Sequence, residues 1–273
     1  MSEARMDIQQ LITKILNSAK YRDLGVNPNT IQDLIQQELP KYPNEKQLLK
    51  AVKRKLHNIV APYLGEPNYG MLMDRLSEIE TGLTHSPVLR QFCLDVLAMH
   101  ASTAERIPYL ETFYQDLFQA TGQPEILIDL ACGMNPLTFP WMNLPTTPKY
   151  FAYDIIQPRV GFLNAFFAHI GLQPLAENRD ILVNPPQQHA DLGLFFKEAH
   201  RFEKRQPGCN QPFWGSLNVD ILAVSLPTHD LSGTHTLLEQ HRQLVYNNLP
   251  PNQGVSEMLI QDEMIFLIKK PGQ

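Results

Sequence analysis

The chain has 273 residues, of which 43% are hydrophobic, as expected for a globular protein with a packed core. Its formal net charge of −5 at pH 7 excludes nucleic-acid binding through bulk positive charge. Three cysteines are too few for a disulfide framework, and none of the nine histidines stands in a metal-binding pair such as H-E-x-x-H, so no metal site is predicted. No apolar run approaches the roughly 18–20 residues that span a bilayer, and the polar N-terminus lacks the pattern of a signal peptide, so we expect a cytoplasmic protein.

The first part of the chain predicts helices. Apolar residues recur at helical spacing from Ile8 to Leu16, and the start signals Asn27-Pro28 and Pro43-Asn44 each precede another amphipathic stretch. We therefore expect a small helical bundle over residues 1–63, followed by a helical extension over residues 64–122 that carries part of the binding site. The helices of this extension are expected around Tyr69–Glu80, Pro87–Met99 and Thr103–Thr121.

The third helix of the bundle carries a row of basic residues. Lys46, Lys50, Lys53 and Arg54 share much of one face, and such a row can follow the phosphates of a nucleic acid. A solvated helix face explains the same residues, and the row alone favours that simpler explanation.

After Gly122-Gln123-Pro124 the pattern changes to short apolar runs that alternate with helices, as in an α/β fold. The last two runs, separated by Gln261-Asp262-Glu263, predict an antiparallel hairpin. A mostly parallel sheet with an antiparallel last strand is typical of a class I (Rossmann-like) methyltransferase core, which we expect over residues 123–273; a nicotinamide-binding domain more often continues in parallel. The predicted strands are Ile126–Leu130, Tyr150–Tyr153, a short run near Leu175, Leu192–Lys197, Val219–Ser225, Gly254–Ile260 and Met264–Ile268, with helices near Val160–Ile170 and Thr236–Leu249.

The first of these strands ends in the most informative turn of the chain. Asp129 closes the strand, and the small residues Ala131 and Gly133 follow at alternate positions, so little side chain obstructs the backbone. Asp154 ends the next strand, where an acid is placed to hydrogen-bond ribose hydroxyls. Together these residues predict a site for an adenosine-containing cofactor, and an ordinary strand-to-helix turn is the alternative.

A second polar motif, His100–Arg106, precedes the sheet. Ser102 or Thr103 can cap a helix, which would place Glu105 and Arg106 in its first turn. The positive end of a helix is an unfavourable place for an arginine, so Arg106 is a candidate to bind a ligand carboxylate. A surface ion pair with Glu105 or Asp154 explains it equally well.

Taken in chain order, these motifs resemble the aminoglycoside-resistance 16S rRNA guanine-N7 methyltransferases. The likeness covers nearly the whole chain, since stretches near both ends also look like that family. The residues that carry it are H-A-S-T-x-E-R at His100–Arg106, D-x-A-C-G-x-N-P-L at Asp129–Leu137, the strand-ending Asp154, S-x-P-T at Ser225–Thr228, and the flanking stretches Ile15–Arg22 and Ile265–Lys270.

The resemblance implies S-adenosylmethionine as methyl donor and guanine N7 in the decoding site of 16S rRNA, in the 30S subunit, as the target, with aminoglycoside resistance as the result. It implies that Arg106 holds the donor carboxylate, that Asp154 takes the ribose hydroxyls, and that Asp180 with Ile181 borders the adenine. The other residues implied at the cofactor are His100, Ser102, Asp129, Ala131, Gly133 and Ile155. Those implied to flank the target base are Phe196, Lys197, Ser225, Pro227 and Thr228, and those implied to contact RNA are Lys20, Arg22, Lys46, Lys50, Lys53 and Arg54.

This reaction needs no acid or base from the protein. Guanine N7 has a free lone pair and no proton, and the donor is an already activated sulfonium, so catalysis consists of alignment and exclusion of water. A base in duplex RNA must be extruded and held by a planar side chain. Phe196 is the first candidate for that contact and Trp214 a poorer one, although for each aromatic residue taken singly a core role is the better explanation.

One segment is similar to a motif of other methyltransferases, and two segments differ from the family that the chain resembles. Asn184-Pro185-Pro186 is similar to the amine-binding motif of amino-methyltransferases, but it precedes its strand and is predicted to be a turn. The loop His229–His235 contains no Arg or Lys where the family is basic, and Glu198–Arg201 is polar where the family is apolar. Three alternatives therefore stay open: a methyltransferase of another rRNA base or a small molecule, a ribosome-binding protein with little turnover, and an NAD-binding module.

Overall fold

The computed structural model describes residues 7–61, 67–82, 84–172, 176–230 and 235–270. Within these ranges, no helix combines the length and the apolar character that crossing a membrane requires. The predicted loop that lacks basic residues falls partly outside them, at residues 231–234.

Three helices form the start of the described chain: α1 (Ile8–Leu16), α2 (Pro28–Glu38) and α3 (Glu45–Val60). Each begins at an Asp or Asn whose side-chain oxygen accepts hydrogen bonds from free backbone N–H groups of the first turn. Their apolar faces meet in one buried cluster, which confirms the three predicted helices. The cluster contains Leu11, Ile12, Ile15, Ile31, Leu34, Ile35, Leu48, Val52, Leu56 and Val60, together with Ile156 from the later part of the chain.

The next helices are shorter than the sequence predicts. They are α4 (Tyr69–Ser77), α5 (Pro87–Ala98), α6 (Ala101–Ala104) and α7 (Leu110–Thr121). The predicted continuous helix Thr103–Thr121 is wrong, because a 3₁₀ turn at Ile107–Tyr109 separates α6 from α7. Pro108 explains the break: its ring lacks an N–H and disfavours helical geometry at the preceding residue. Arg106 therefore lies in a turn after α6 and not in the first turn of a helix.

The rest of the chain alternates strands and helices around one seven-stranded sheet. The strands run in the order β3-β2-β1-β4-β5-β7-β6; β7 is antiparallel to both of its neighbours, and the other pairs are parallel. This topology confirms the predicted core with its antiparallel last strand. The strands are β1 (Ile126–Leu130), β2 (Lys149–Asp154), β3 (Ala176–Asn178), β4 (Ala190–Phe196), β5 (Val219–Pro227), β6 (Gly254–Ile260) and β7 (Glu263–Lys269), and the helices are α8 (Gln157–His169), α9 (Ala199–Arg205), α10 (Asn210–Ser216) and α11 (Leu238–Asn247).

Helices cover both faces of the sheet. Successive residues of a strand point to opposite faces, so Leu127 of β1 joins a cluster with α4, α5, α7 and α8, whereas Ile128 joins one with α9, α10 and α11. The carboxyl ends of the parallel strands lie along one edge of the sheet, where ligands bind in open α/β folds. Asn184-Pro185-Pro186 lies in irregular backbone ahead of β4, as expected for a turn.

Candidate functional site

The turn after β1 has the open backbone that the sequence predicts. Ala131 and Gly133 both adopt left-handed conformations, with φ of 54° and 53°. The backbone N–H of Cys132 donates to the carbonyl of Tyr153 at 2.9 Å and so ties the turn to β2. Among the described residues, a Cβ at Gly133 would meet only the Cε1 atom of His100, at 3.8 Å. The turn is therefore fixed by its backbone geometry rather than by close packing.

The carboxylate of Asp154 is the hub of the site. Its Oδ2 accepts from the Gly133 N–H at 3.1 Å and from Nη1 of Arg159 at 2.6 Å, and its Oδ1 accepts from the Ile156 N–H at 2.8 Å. An ionised carboxylate has about four acceptor positions, so capacity remains for a ligand hydroxyl. Sequence reasoning missed Arg159, although the signal used for Arg106 was present, since Arg159 lies at the positive end of α8.

The carboxylate of Asp180, in the loop after β3, is held by donors from three segments. It is 2% exposed and accepts hydrogen bonds from the hydroxyl of Thr30, at 2.7 Å, and from the N–H of Leu182, at 3.1 Å. Nη1 of Arg205 completes the set, 2.8 Å from Oδ2. Thr30 and Arg205 were not predicted, because they are distant from Asp180 in sequence and belong to no recognisable motif.

A cavity of about 470 Å³ lies at this edge of the sheet, between the strand ends and α3. Arg159, Arg179, Glu198 and residues of α9 form part of its lining. The structure thus brings half of the predicted cofactor residues around one space. These are Ala131, Asp154, Ile155, Asp180 and Ile181, and α3 with its end contributes Lys55, Asn58, Ile59 and Ala61.

The other predicted cofactor residues, all in the described part of the chain, do not line this cavity: His100, Ser102, Arg106, Asp129 and Gly133. Two of them, His100 and Asp129, contact the segment around the turn after β1 instead. His100 lies against Gly133, and burial lowers its pKa to about 4, with a smaller contribution from the charge of Arg159. Asp129 accepts from Nδ2 of Asn135 at 2.9 Å and from the hydroxyl of Tyr150 at 2.7 Å. Burial outweighs these bonds and raises the pKa of Asp129 to about 7.

Arg106 makes a buried ion pair with an acid from the last strand. Its Nε and Nη2 donate to the two oxygens of Glu263 at 2.9 and 2.7 Å, and its Nη1 donates to Oδ1 of Asn135 at 2.8 Å. The guanidinium carbon lies 4.1 Å from the ring centre of Phe113 and 4.6 Å from that of Phe196. The predicted alternative, a surface ion pair with Glu105 or Asp154, is therefore wrong.

Lys197 extends this ion pair into a network. It follows β4 with a φ of 61°, and its Nζ donates to the Ser102 carbonyl at 3.0 Å and to Glu105 at 2.6 Å. The same Nζ lies 3.4 Å from Oε1 of Glu263. Burial by itself would raise the pKa of Glu263, but the charges of Arg106 and Lys197 outweigh it and lower that pKa to about 2. Glu263 was missed, although an acid at the start of an apolar strand was a visible signal.

The residues predicted to flank a target base come together at the ends of β4 and β5. Lys197 donates its N–H to the carbonyl of Ser225 at 2.8 Å, and the hydroxyl of Thr228 donates to the carbonyl of Asp262 at 3.1 Å. The carbonyl of Pro227 lies 2.9 Å from Nδ1 of His241. Lys197, Ser225 and Thr228 are buried, so they form the floor of the region rather than an exposed surface.

The two aromatic candidates differ in placement. Phe196 is partly exposed, and its ring contacts the Arg106 guanidinium and the edge of Phe113, with 5.7 Å between the ring centres. Trp214 is 2% exposed and packs in the core cluster with Phe213 and Phe195. A ring buried in this way cannot stack on an incoming base, so the structure removes Trp214 as a candidate and leaves Phe196 as a prediction.

Four of the six predicted RNA-contacting residues, Lys46, Lys50, Lys53 and Arg54, lie on α3. Lys46, Lys50 and Lys53 line one shallow surface groove. Lys20 extends the row, since its Nζ lies 2.8 Å from Nδ1 of His57, one turn beyond Lys53. Arg54 is exposed on the same helix, and Arg22 is exposed beside its neighbour Asp23.

One group of potential metal ligands lies at the opposite, amino-terminal edge of the sheet. His189, Asp191 and Asp220 have ligand atoms within 4.8 Å of one another. Asp191 accepts from the N–H groups of Glu125 and Ile126 at 2.7 and 2.8 Å, and His189 bonds to Asp220 at 2.9 Å. These hydrogen bonds account for the arrangement without an ion.

Comparisons with known proteins agree with this geometry. The family described as ribosomal RNA methyltransferase (FmrO) matches residues 17–265. Two 16S rRNA (guanine(1405)-N(7))-methyltransferases, from Micromonospora echinospora and Serratia marcescens, are each 30% identical to this chain over 98% of its length and over 98% and 100% of theirs. The structure of the 16S rRNA methylase RmtB is 28% identical with a TM-score of 0.79, covering 97% of this chain and 99% of that one. The methyltransferase RmtF, in complex with S-adenosyl-L-homocysteine, shares the fold at 24% identity with a TM-score of 0.77, covering 97% of this chain and 100% of that one.

Proposed function

This chain belongs to the FmrO family of ribosomal RNA methyltransferases, and on that premise we propose that it methylates guanine N7 in the decoding site of 16S rRNA with S-adenosylmethionine as donor. The observation that carries the proposal is the cavity at the carboxyl edge of the sheet. Five of its lining residues are ones for which the sequence motifs predict contact with the cofactor, and they come from separate segments of the chain: Ala131, Asp154 with Ile155, and Asp180 with Ile181.

The cavity suits the nucleoside part of the donor. Asp154 has acceptor capacity left for ribose hydroxyls, and Ile155 and Ile181 supply apolar surface for a base. The left-handed backbone at Ala131 and Gly133 lets a ligand approach the turn closely. Arg106 remains the proposed partner of the donor carboxylate, and its contact with Glu263 fixes its guanidinium beside this turn.

The protein's part in the reaction is to position the methyl donor and the target base and to exclude water. S-adenosylmethionine supplies an electrophilic methyl group when bound, and guanine N7 needs no deprotonation. The buried network of Arg106, Glu263 and Lys197 makes the region under the target base rigid. Phe196, above the Arg106 guanidinium, is the proposed planar contact for the extruded base.

The proposed partner is the 30S subunit, which the row of lysines on α3 would contact through its phosphates. A substrate in the ribosome also implies a cytoplasmic location. Methylation of the decoding site would confer tolerance to kanamycin and gentamicin on a sensitive host that expresses this protein.

Methyl transfer itself provides the direct test. Purified protein is incubated with labelled S-adenosylmethionine and 30S subunits, and the rRNA is cleaved with borohydride and aniline at 7-methylguanosine. We expect cleavage at the decoding-site guanine; methylation of another base, or of free nucleosides, would favour an altered target, for which the acidic His229-Asp230 after Thr228 is the specific reason. Ribosome binding without any methyl transfer would reject the enzyme proposal.

A matched pair of glycine variants tests the cofactor site. Gly133 and Gly171 both have positive φ, 53° and 82°, and no described atom would lie closer than 3.8 Å to an added Cβ at either position, so Gly133→Ala and Gly171→Ala mainly introduce backbone strain. Only Gly133 lies in the turn beside Asp154. We expect Gly133→Ala to weaken S-adenosylhomocysteine binding about tenfold or more, measured by calorimetry, while Gly171→Ala is expected to bind S-adenosylhomocysteine with the affinity of the unmodified chain. Equal affinities for the two variants would contradict the proposed cofactor position.

A further inference from the structure

The segment that enters α2 holds the loop after β2 in place. Val26 and Ile156 form an isolated antiparallel bridge. The N–H of Asn27 donates to the carbonyl of Ile155 at 2.8 Å, and the N–H of Gln157 donates to the carbonyl of Gly25 at 2.8 Å. Ile155 lines the cavity, so this rim of the cavity is backbone-bonded to the N-terminal helices.

The same segment also holds the loop after β3. Nδ2 of Asn27 donates to the carbonyl of Asn178 at 2.8 Å. One turn into α2, the hydroxyl of Thr30 donates to Oδ2 of Asp180 at 2.7 Å. A second connection passes through Arg205, whose Nη1 lies 2.8 Å from Asp180 and whose Nη2 lies 2.8 Å from Asp33 of α2.

The N-terminal helices therefore form one wall of the cavity in addition to carrying the basic row. Lys55, Asn58, Ile59 and Ala61, from α3 and its end, line the cavity opposite the strand ends. Removing residues 1–63 would open the cavity, so such a truncation does not separate RNA docking from cofactor binding.

We propose that Thr30 is a positioning residue for the cofactor: its hydroxyl fixes the Asp180 carboxylate at the cavity, so that α2 sets the affinity for the methyl donor. The proposal rests on the proposed function, in which Asp180 borders the adenine. Asp180 is 2% exposed and Thr30 is fully buried, so water has little access to the hydrogen bond between them. Without the hydroxyl, only Arg205 and the N–H of Leu182 would hold the carboxylate, and it would turn toward Arg205.

Two substitutions separate the effect of the hydroxyl from that of the rest of the side chain. Thr30→Val keeps the shape and removes the donor, whereas Thr30→Ser keeps the donor. For S-adenosylhomocysteine titrated into the full-length protein by calorimetry, we expect Thr30→Val to raise Kd about tenfold, the scale of one lost hydrogen bond to a charged group. Thr30→Ser is expected to bind S-adenosylhomocysteine with a Kd close to that of the unmodified chain.

Ile31→Val provides the control for packing. Ile31 neighbours Thr30 in α2 but packs in the buried cluster of the helical bundle and not against Asp180. This variant is expected to lower the unfolding temperature without changing the Kd for S-adenosylhomocysteine. Methyl-transfer kinetics add a second readout: Thr30→Val should raise the KM for the donor while kcat at saturating donor and 30S affinity stay unchanged.

A milder variant covers the case in which Thr30→Val fails to fold. Asp33 is partly exposed and reaches Asp180 only through Arg205, so Asp33→Asn is expected to raise the Kd about threefold. Equal Kd values for Thr30→Val and Thr30→Ser would overturn the proposal, as would an equal loss in Ile31→Val. A folded, unmodified chain that does not bind S-adenosylhomocysteine would instead refute the proposed function on which the inference rests.

Discussion

Arg106 and Glu263 form a buried, two-bond ion pair between the helical extension and the last strand of the sheet, with N–O distances of 2.9 and 2.7 Å. The two side chains are 3% and 1% exposed. Because they are distant in sequence, the pair fixes the turn after α6 against the start of β7. Asn135 accepts a hydrogen bond from Arg106, the hydroxyl of Tyr109 donates to Glu263, and Lys197 lies 3.4 Å from Glu263. Arg106 is therefore part of the folded core as well as the proposed carboxylate partner.

This relationship changes the expected effect of Arg106→Ala. The sequence alone predicts weaker donor binding with little loss of folding. The structure shows that the substitution would leave Glu263 buried with Lys197 as its remaining counter-charge, and breaking a buried pair in this way typically costs about 3–5 kcal/mol. We expect a loss of that size in the free energy of unfolding, measured by urea titration.

A double-mutant cycle provides the control for this prediction. Combining Arg106→Ala with Glu263→Gln removes the unpaired charge, so the two losses should be strongly non-additive. Additive losses would show that the ion pair does not contribute to stability. The same reasoning applies to Asp154→Ala, because Arg159 is 1% exposed and would lose its contact with the Asp154 carboxylate.

The close contact of Gly25 with the first turn of α8 gives a second prediction. Gly25 has a φ of 60°, and a Cβ there would lie 2.6 Å from Cδ of Pro158. Gly25→Ala therefore adds a steric clash to the cost of a left-handed alanine, and we expect it to lower the free energy of unfolding by about 2–4 kcal/mol. The midpoint of urea unfolding measures this loss.

Gly82→Ala is the matched control for Gly25→Ala. Gly82 has a φ of 79°, and among the described residues no atom would lie within 4 Å of its Cβ. This variant carries the backbone strain without the clash and should cost about 1 kcal/mol. Similar losses in the two variants would show that the contact with Pro158 relaxes freely.

The fold was predictable from local patterns, whereas its long-range contacts were not. Apolar runs bounded by turn residues placed β1 and β6 within their observed bounds. The apolar pattern after Thr103 predicts one continuous helix, although Pro108 lies within it. Its ring interrupts the helix because a proline cannot donate the backbone hydrogen bond that helix geometry requires.

The candidate site likewise combines residues that local sequence patterns predict with long-range contacts that they do not. Asp154 and Ala131 could be assigned from the sequence because each ends or follows a strand, and parallel strands bring such residues to one edge. The contact between Thr30 and Asp180 depends on how two distant segments pack, which the spacing of residues in a chain does not specify. Arg106 stays a predicted carboxylate-binding residue, and its buried partner Glu263 was not predicted, for the same reason.

His200, a partly buried residue that lines the cavity, and the neighbouring buried His241 predict a stability that depends on pH. Burial lowers the pKa of His200 from 6.5 to about 3, with smaller contributions from the charges of Arg201 and Lys204 and from His241, whose ring centre is 5.9 Å away. The folded protein keeps His200 neutral while the unfolded chain binds a proton below pH 6.5. The contribution of His200 to the free energy of unfolding is therefore fully present above pH 6.5 and is lost as the pH falls toward 3.

His200→Phe isolates this contribution. We expect the loss of unfolding free energy between pH 6.5 and 4 to be about 2–3 kcal/mol smaller in the variant than in the unmodified chain. Comparing the variant with the unmodified chain is necessary because Asp129, with its pKa raised to about 7, acts in the opposite direction over this interval. Parallel pH profiles for the two proteins would show that His200 is protonated equally easily in both states.

The basic row on α3 gives the last prediction. Lys50 is exposed and Lys53 partly so, and both line the shallow groove of that helix. Replacing both with glutamate should weaken 30S binding and reduce its salt dependence by about one unit of slope for each lost phosphate contact, while the affinity for S-adenosylhomocysteine is unchanged. Lys149→Glu with Lys270→Glu makes the same change in net charge at the amino-terminal edge of the sheet, far from this row. If both double variants weaken 30S binding equally in filter-binding titrations, then overall charge rather than the row on α3 determines the affinity.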